Sequence, residues 1–214
     1  MKKMLIMFLV LLLMISCFST WTVTYATEPP RRYDDVSYDS WYAGAVDYVS
    51  WGLMEGDGEK FFPERILTRA ELAMIIVRFA HINLREFTYE KSPFEDVRVD
   101  SWYGKAVSWV KENGLMIGTS SATFKPNDIV TREQLCVTLA RLAEYRGNTN
   151  SEGSATNFTD SNEISVWAVD GVNYMITRGI FKGTPENKIL PQKGITRAET
   201  AMVLSRFSKT ASSQ

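Results

Sequence analysis

The sequence predicts an all-α fold of three tandem helical units, and three observations carry that expectation. A tryptophan-led segment recurs, as SWYAGAVDYVSWGLMEG at 40–56, SWYGKAVSWVKENGLMIG at 101–118 and, more loosely, VWAVDGVNYMITRGIFKG at 166–183. A second segment follows each copy, opening on LTRAEL at 67–72, VTREQL at 130–135 and ITRAET at 195–200. No stretch sustains the period-two alternation of a half-buried strand.

Residues 1–26 are expected to be a signal peptide rather than part of the fold. Lys2 and Lys3 precede an apolar run from Met4 to Phe18, and Thr24-Tyr25-Ala26 offers small residues for cleavage. The run is short for a membrane span, and no stop-transfer pattern follows it. Cys17 after LMIS offers a rival lipidation point, weakened by Met14, so cleavage near Ala26 is the expectation. The processed chain keeps one cysteine, Cys136, set in an apolar helical pattern, and cannot form an internal disulfide. Its formal charge, −1 less the two positive charges of Lys2 and Lys3, becomes −3. A mildly acidic chain without a basic block is not expected to bind nucleic acid.

Each unit then repeats one order of signals. Aromatic-x-Asp opens it, at Tyr33-x-Asp35, Phe94-x-Asp96 and Phe158-x-Asp160. Trp41, Trp102 and Trp167 follow and lead a first helix, whose apolar face is expected at Trp41, Ala45, Tyr48 and Val49 and at Trp102, Ala106, Trp109 and Val110. Glycine pairs close it at Gly52/Gly56, Gly114/Gly118 and Gly179/Gly183, fitting helix ends and sharp turns. Proline loops (FFPERI, FKPNDI, LPQKGI) lead into the second helix. Its apolar face is Leu72, Ile75, Ile76 and Phe79 in the first unit, Leu135, Leu139 and Leu142 in the second, and Val203, Leu204 and Phe207 in the third. The connections are 81–93 and 144–157, the latter rich in Gly, Ser, Asn and Thr and read as a mobile surface segment. Boundaries fall at 30–93, 94–157 and 158–214, with no further domain expected. A pair of short helices cannot bury its apolar face alone, so the units are expected to pack on one another as a closed pseudo-threefold bundle.

This order of aromatic-x-Asp, Trp, Gly-rich turn, Pro loop and Thr-Arg-Ala-Glu resembles the S-layer homology (SLH) repeat of bacterial surface proteins, over nearly the whole processed chain. The resemblance implies three SLH repeats forming a three-pronged spindle around a central helix bundle. It also implies noncovalent attachment to the cell envelope by binding secondary cell-wall polysaccharide, carrying pyruvylated N-acetylmannosamine, in grooves between repeats.

The candidate ligand-binding residues are Asp35, Trp41, Gly56 and Arg69, with Asp96, Trp102, Gly118 and Arg132, and with Asp160, Trp167, Gly183 and Arg197. Thr68 with Glu71, Thr131 with Gln134 and Thr196 with Glu199 read as capping boxes and need no ligand. The arginines are different. A cation at the first helical position is disfavoured by roughly 0.3–1 kcal/mol when exposed. Either an acid on the same helix offsets it, or free helix-start amides and a guanidinium together form an anion site. The family's pyruvyl carboxylate would suit such a site. The tryptophans can be core anchors or stacking faces for sugar rings, and the family pattern places them in the groove. The aspartates can cap turns or, as in the family, accept from sugar hydroxyls. Gly56, Gly118 and Gly183 permit close backbone approach, to a helix or to ligand.

Arg78, Arg141 and Arg206 complement the dipole at second-helix ends and read as structural. His81 lies outside the repeats, and no metal, cofactor or catalytic triad is expected. Departures from the pattern are the shorter first unit with its GDGEKFF loop, Gln134 in place of Glu, Leu190 in place of the loop aromatic, and Gly171 in a helix. They could leave one groove weak or empty. A wall hydrolase is disfavoured because every recurring carboxylate has a capping or binding explanation. A scaffold for surface proteins or self-assembly is the alternative, yet it needs no repeated anion site.

Overall fold

The computed structural model describes residues 33–148 and 158–211. The expected signal peptide, with its alternative processing points at Ala26 and Cys17, lies outside these residues, as does 149–157 of the second connection. The described chain forms six α-helices in three pairs. These are α1 (Ala43–Val49) with α2 (Arg69–Phe79), α3 (Gly104–Glu112) with α4 (Arg132–Tyr145), and α5 (Val169–Thr177) with α6 (Arg197–Ala211). Extended segments meet, among the described residues, at three isolated antiparallel bridges. The all-α expectation holds.

The second helices start where their capping residues dictate. Thr68 and Thr131 are extended, and their hydroxyls accept from the amides of Glu71 and Gln134. The third-position side chains return to the cap amides at 2.9 Å (Glu71), 3.2 Å (Gln134) and 2.9 Å (Glu199). The boxes are present in all three units, each supporting its helix by about 1 kcal/mol.

The first helices begin two residues beyond the tryptophan and have no side-chain cap. Ala45, Val46 and Val49 are buried, as are Ala106, Val107, Trp109 and Val110. Trp41 and Trp102 do not belong to that face, contrary to the expected pattern, and Tyr48 is partly exposed. Each of the two indoles turns outward, edge-on to the next tyrosine with ring centroids 5.1 Å apart.

The units close into a ring through their backbones. Leu67 N donates to Ile195 O (3.0 Å), Ile195 N to Val130 O (2.9 Å) and Val130 N to Leu67 O (2.9 Å). All three side chains are fully buried around this triangle. At the other end the rings of Phe79 and Phe207 stand 5.4 Å apart, with the Arg146 guanidinium 4.9 Å above Phe79. Helices α2, α4 and α6 thus run between the triangle and the aromatic cap. On this central bundle α3 packs on α2, α5 on α4 and α1 on α6, so each first helix leans on the second helix of the unit before it. The pseudo-threefold spindle follows from that offset. Gly171 fits it, because a Cβ there would lie 2.8 Å from the Cα of Val137 on α4. Cys136 is fully buried, and burial pushes its thiol pKa up, as befits a small core residue.

The aspartates clamp the proline loops. Asp35 accepts from the amides of Phe61 and Phe62 (2.8 and 2.7 Å), Asp96 from Phe124 and Lys125 (2.8 and 2.7 Å), and Asp160 from Ile189 and Leu190 (2.8 and 2.7 Å). The second residue of each pair has positive φ, at 58°, 55° and 54° for Phe62, Lys125 and Leu190, and the carboxylate holds it there. This register corrects the expected departure in the third loop. Ile189, not Leu190, stands where Phe61 and Phe124 stand.

Asp96→Ala is expected to cost about 2–3 kcal/mol, because the buried Phe124 amide loses its acceptor. Urea denaturation would measure the loss. Burial pushes the Asp160 carboxyl pKa up, but the Ile189 and Leu190 amides outweigh it and hold the group below its ordinary value. A depressed folded pKa contributes stability that is present above the unfolded value and lost as pH falls through the folded one. The fold is therefore expected to weaken below about pH 4. Asp160→Asn should flatten that acid limb in denaturation measured across pH.

Candidate functional site

The offset packing builds grooves from all three units at once. Arg69 of the first unit, Gly118 and Thr119 of the second and Trp167 of the third line one groove of about 240 Å³. Arg132 of the second, Gly183 of the third and Trp41 of the first line another of about 390 Å³. Arg197 in the same way reaches Glu55 O, beside Gly56. The expectation of grooves between adjacent units is refined accordingly, since both of these collect residues from every unit.

The tryptophans face solvent, with Trp41, Trp102 and Trp167 exposed to 62, 63 and 55%. They are not core anchors. The arginines are the reverse, with Arg69, Arg132 and Arg197 exposed to only 7, 5 and 4%. Their Nε atoms donate to Phe124 O (2.8 Å), Ile189 O (2.7 Å) and Phe61 O (2.8 Å) of the next unit around the ring. Their Nη2 atoms donate to Ile117 O (2.7 Å), Lys182 O (3.4 Å) and Glu55 O (2.8 Å). Each guanidinium also lies over a ring, at 4.4 Å from Phe124, 4.6 Å from Phe181 and 4.5 Å from Phe61. Phe181 restores under Arg132 the ring that Ile189 lacks.

One expectation fails here. The helix-start amides are not free to meet an anion. Arg69 N and Ala70 N donate to Asp128 O and Pro126 O, Arg132 N and Glu133 N to Lys193 O and Pro191 O, and Arg197 N and Ala198 N to Arg65 O and Pro63 O. The capping hydroxyl takes the third amide of each helix. The Nη1 edges differ: that of Arg132 donates to Glu199, that of Arg197 lies 4.0 Å from Glu71, and that of Arg69 makes no hydrogen bond among the described residues. Burial pushes all three guanidinium pKa values down, offset at Arg132 chiefly by Glu199, at Arg69 by Asp128 and then Asp96, and at Arg197, where Arg65 lowers it further, by Glu71. The offsetting acids lie on other segments, not on the arginine's own helix as the alternative explanation supposed.

The glycines are fixed from within. A Cβ on Gly56, Gly118 or Gly183 would lie 2.6, 2.5 or 2.3 Å from the ring Cε1 of Tyr33, Phe94 or Phe158, and within 2.8 Å of a backbone oxygen. Their close approach is to the unit's opening aromatic ring. Gly118→Ala should destabilise by about 1–3 kcal/mol through overpacking, read as a lowered thermal midpoint. Arg78 and Arg206 reach Leu53 O (3.2 Å) and Ile180 O (3.5 Å), which suits their structural reading, but Arg141 lines the Arg69 groove and Arg206 the Arg132 groove. Sequence reasoning passed over the second-helix wall of that groove. The stripe Gln134, Thr138 and Arg141, at i, i+4 and i+7, was its signal.

Fold and grooves together define a closed helical-repeat module with three outward tryptophans and three inward arginines, two of which share a groove with a tryptophan. Residues 93–136 and 157–201, its second and third units, match the S-layer homology domain, so the chain carries this domain over those two segments. The chain is 30% identical over 182 residues, 84% of its length, to an amylopullulanase of Thermoanaerobacterium thermosulfurigenes. It is 32% identical over 163 residues, 74% of its length, to the surface-layer 125 kDa protein of Lysinibacillus sphaericus. To a cellulosome-anchoring protein of Acetivibrio thermocellus it is 27% identical over 150 residues, 70% of its length. The match spans 10, 13 and 33% of those relatives' own lengths. Among the described residues no helix is long and apolar enough to cross a membrane.

Proposed function

We propose that this chain is a noncovalent anchor at the bacterial cell surface, binding secondary cell-wall polysaccharide in the grooves between its units. The first unit is then a third S-layer homology repeat. It has the same capping box, aspartate clamp and arginine bonds as the two matched units.

One observation carries the reading. The repeated tryptophan is more than half exposed in all three units, while the repeated aspartates, threonines and glycines are engaged inside the fold. Three exposed indoles bury too little area to be explained by stability, and each offers a flat apolar face with an N–H donor at its edge, the chemistry that holds a sugar ring. In the Arg69 groove the Nη1 edge of the arginine provides for a carboxylate such as the pyruvyl ketal of N-acetylmannosamine. Asp35, Asp96 and Asp160 act behind the site, shaping the loop that carries the arginine's acceptors. Gly56, Gly118 and Gly183 keep the groove floor to bare backbone. Binding makes and breaks no covalent bond, so the role is not enzymatic. The surface-layer and cellulosome-anchoring relatives support an anchoring role.

The test is cosedimentation of the processed protein with purified sacculi, before and after mild acid removal of the wall polysaccharide and its ketals. Binding should be lost with the polysaccharide. Equal binding to both preparations would sink the proposal in favour of a protein scaffold.

A further inference from the structure

The Arg69 and Arg132 grooves are alike in backbone and differ in the acid that faces the guanidinium. Arg132 Nη1 donates to Glu199 at 2.9 Å, so that edge of the guanidinium is already occupied by a carboxylate. In the Arg197 groove the equivalent acid is Glu71, 4.0 Å from Arg197 Nη1 and also held by the Arg65 fork, with Glu55 preceding the groove glycine. Around the ring, the residue that should meet Arg69 is Gln134. Arg69 Nη1 makes no hydrogen bond among the described residues, although the side chain is more than nine-tenths buried. The acids that act on Arg69 are Asp96 and Asp128. Neither lines its groove, and the first is engaged by the Phe124 and Lys125 amides. No carboxylate is among the residues lining this groove; Arg141 in it is matched by Arg206 in the Arg132 groove, so the difference between the two is Gln134 against Glu199.

We infer that the groove formed by Arg69, Gln134, Arg141 and Trp167 is the one that selects a carboxylate-bearing sugar, and that Gln134 is the residue that sets this selectivity. In the Arg132 groove an incoming carboxylate would displace Glu199 from its partner or sit beside a like charge. Lys182 and Arg206 also line that groove, so it should take the acid more weakly than the Arg69 groove does, not reject it. The substitution that sets the charge is invisible to folding, because glutamine and glutamate complete the same capping box, as Thr131 with Gln134 and Thr68 with Glu71 both do. The inference rests on the polysaccharide-binding reading and adds which groove takes the acidic sugar more tightly.

The experiment follows the tryptophan indole N–H signals of the 15N-labelled processed chain, assigned by single Trp→Phe variants. Two probes are titrated, the pyruvyl ketal of methyl N-acetylmannosaminide and its neutral methyl ester. In the wild type the acid should move the Trp167 signal at the lowest concentration and the ester should show no such preference. Q134E should weaken acid binding at Trp167 by about tenfold and leave the ester unchanged. E199Q should strengthen acid binding at Trp41 by a similar factor. Each replacement already occurs at the equivalent position of another unit, so both variants are expected to fold, and the unmoved indole signals report it. Acid binding at Trp167 that is insensitive to Q134E, or a tighter response at Trp41 or Trp102 in the wild type, overturns the groove assignment while the anchoring proposal stands. Silence of every indole toward both probes, together with unchanged retention on stripped sacculi, overturns the anchoring proposal and this inference with it.

Discussion

Arg132→Ala is expected to destabilise the fold by about 3–5 kcal/mol, the loss typical of breaking a buried charge pair from one side. The side chain is nearly inaccessible and bonds Ile189 O, Lys182 O and Glu199 of the neighbouring unit, with its guanidinium over Phe181. Truncation leaves two carbonyls without a donor and Glu199 without its cation. Arg132→Lys keeps the charge but cannot reproduce the planar fork, so it should recover only part of the loss. Arg69→Ala should cost less, because Gln134 leaves no carboxylate stranded. Because the units close through the Leu67–Ile195–Val130 triangle, losing one inter-unit contact should weaken the whole ring. Urea unfolding followed by circular dichroism and by tryptophan fluorescence should give one coincident transition at lower denaturant. Separate transitions for separate units would contradict the closed architecture.

Helix starts and the repeat itself were legible in the sequence because local chemistry determines them. A threonine followed three residues later by Glu or Gln has one good use at a helix N-terminus, and all three copies make it. The buried faces of α2, α4 and α6 were legible from helical spacing. Closure was not, since repeat spacing does not say whether a third unit returns to the first. The determinants of closure are backbone amides, such as Leu67 N to Ile195 O, and main-chain groups leave no mark in side-chain periodicity.

The site was legible in its letters and not in their arrangement. Asp35, Asp96 and Asp160 recur because a positive-φ residue far along the chain needs an acceptor, a pairing no local pattern reveals. The arginines stood out as unexplained by helix grammar, and the reason lies in the next unit's carbonyls, about fifty residues away for Arg69 and more than a hundred for Arg197. Helical spacing suggested the tryptophans as part of a buried face. The helices start after them, so that spacing does not apply and the rings are free to turn outward.

That outward turn separates binding from stability, and the triple variant Trp41→Ala, Trp102→Ala, Trp167→Ala exploits it. A sugar stacked on an indole covers on the order of 80 Å² of apolar surface, about 2 kcal/mol at roughly 25 cal/mol per Å². That is about 30-fold in affinity for each groove. A polysaccharide that engages more than one groove multiplies those factors through effective concentration. Removing all three indoles should therefore abolish retention on sacculi. Solvent-facing side chains lend little to the core, so the thermal midpoint should fall by no more than a few degrees. Each single variant should lose its own groove's share, with Trp167→Ala the most damaging toward a carboxylate-bearing polymer. If the triple variant unfolds, the indoles are structural after all. If it folds and still binds the wall, the grooves are not where the polymer sits.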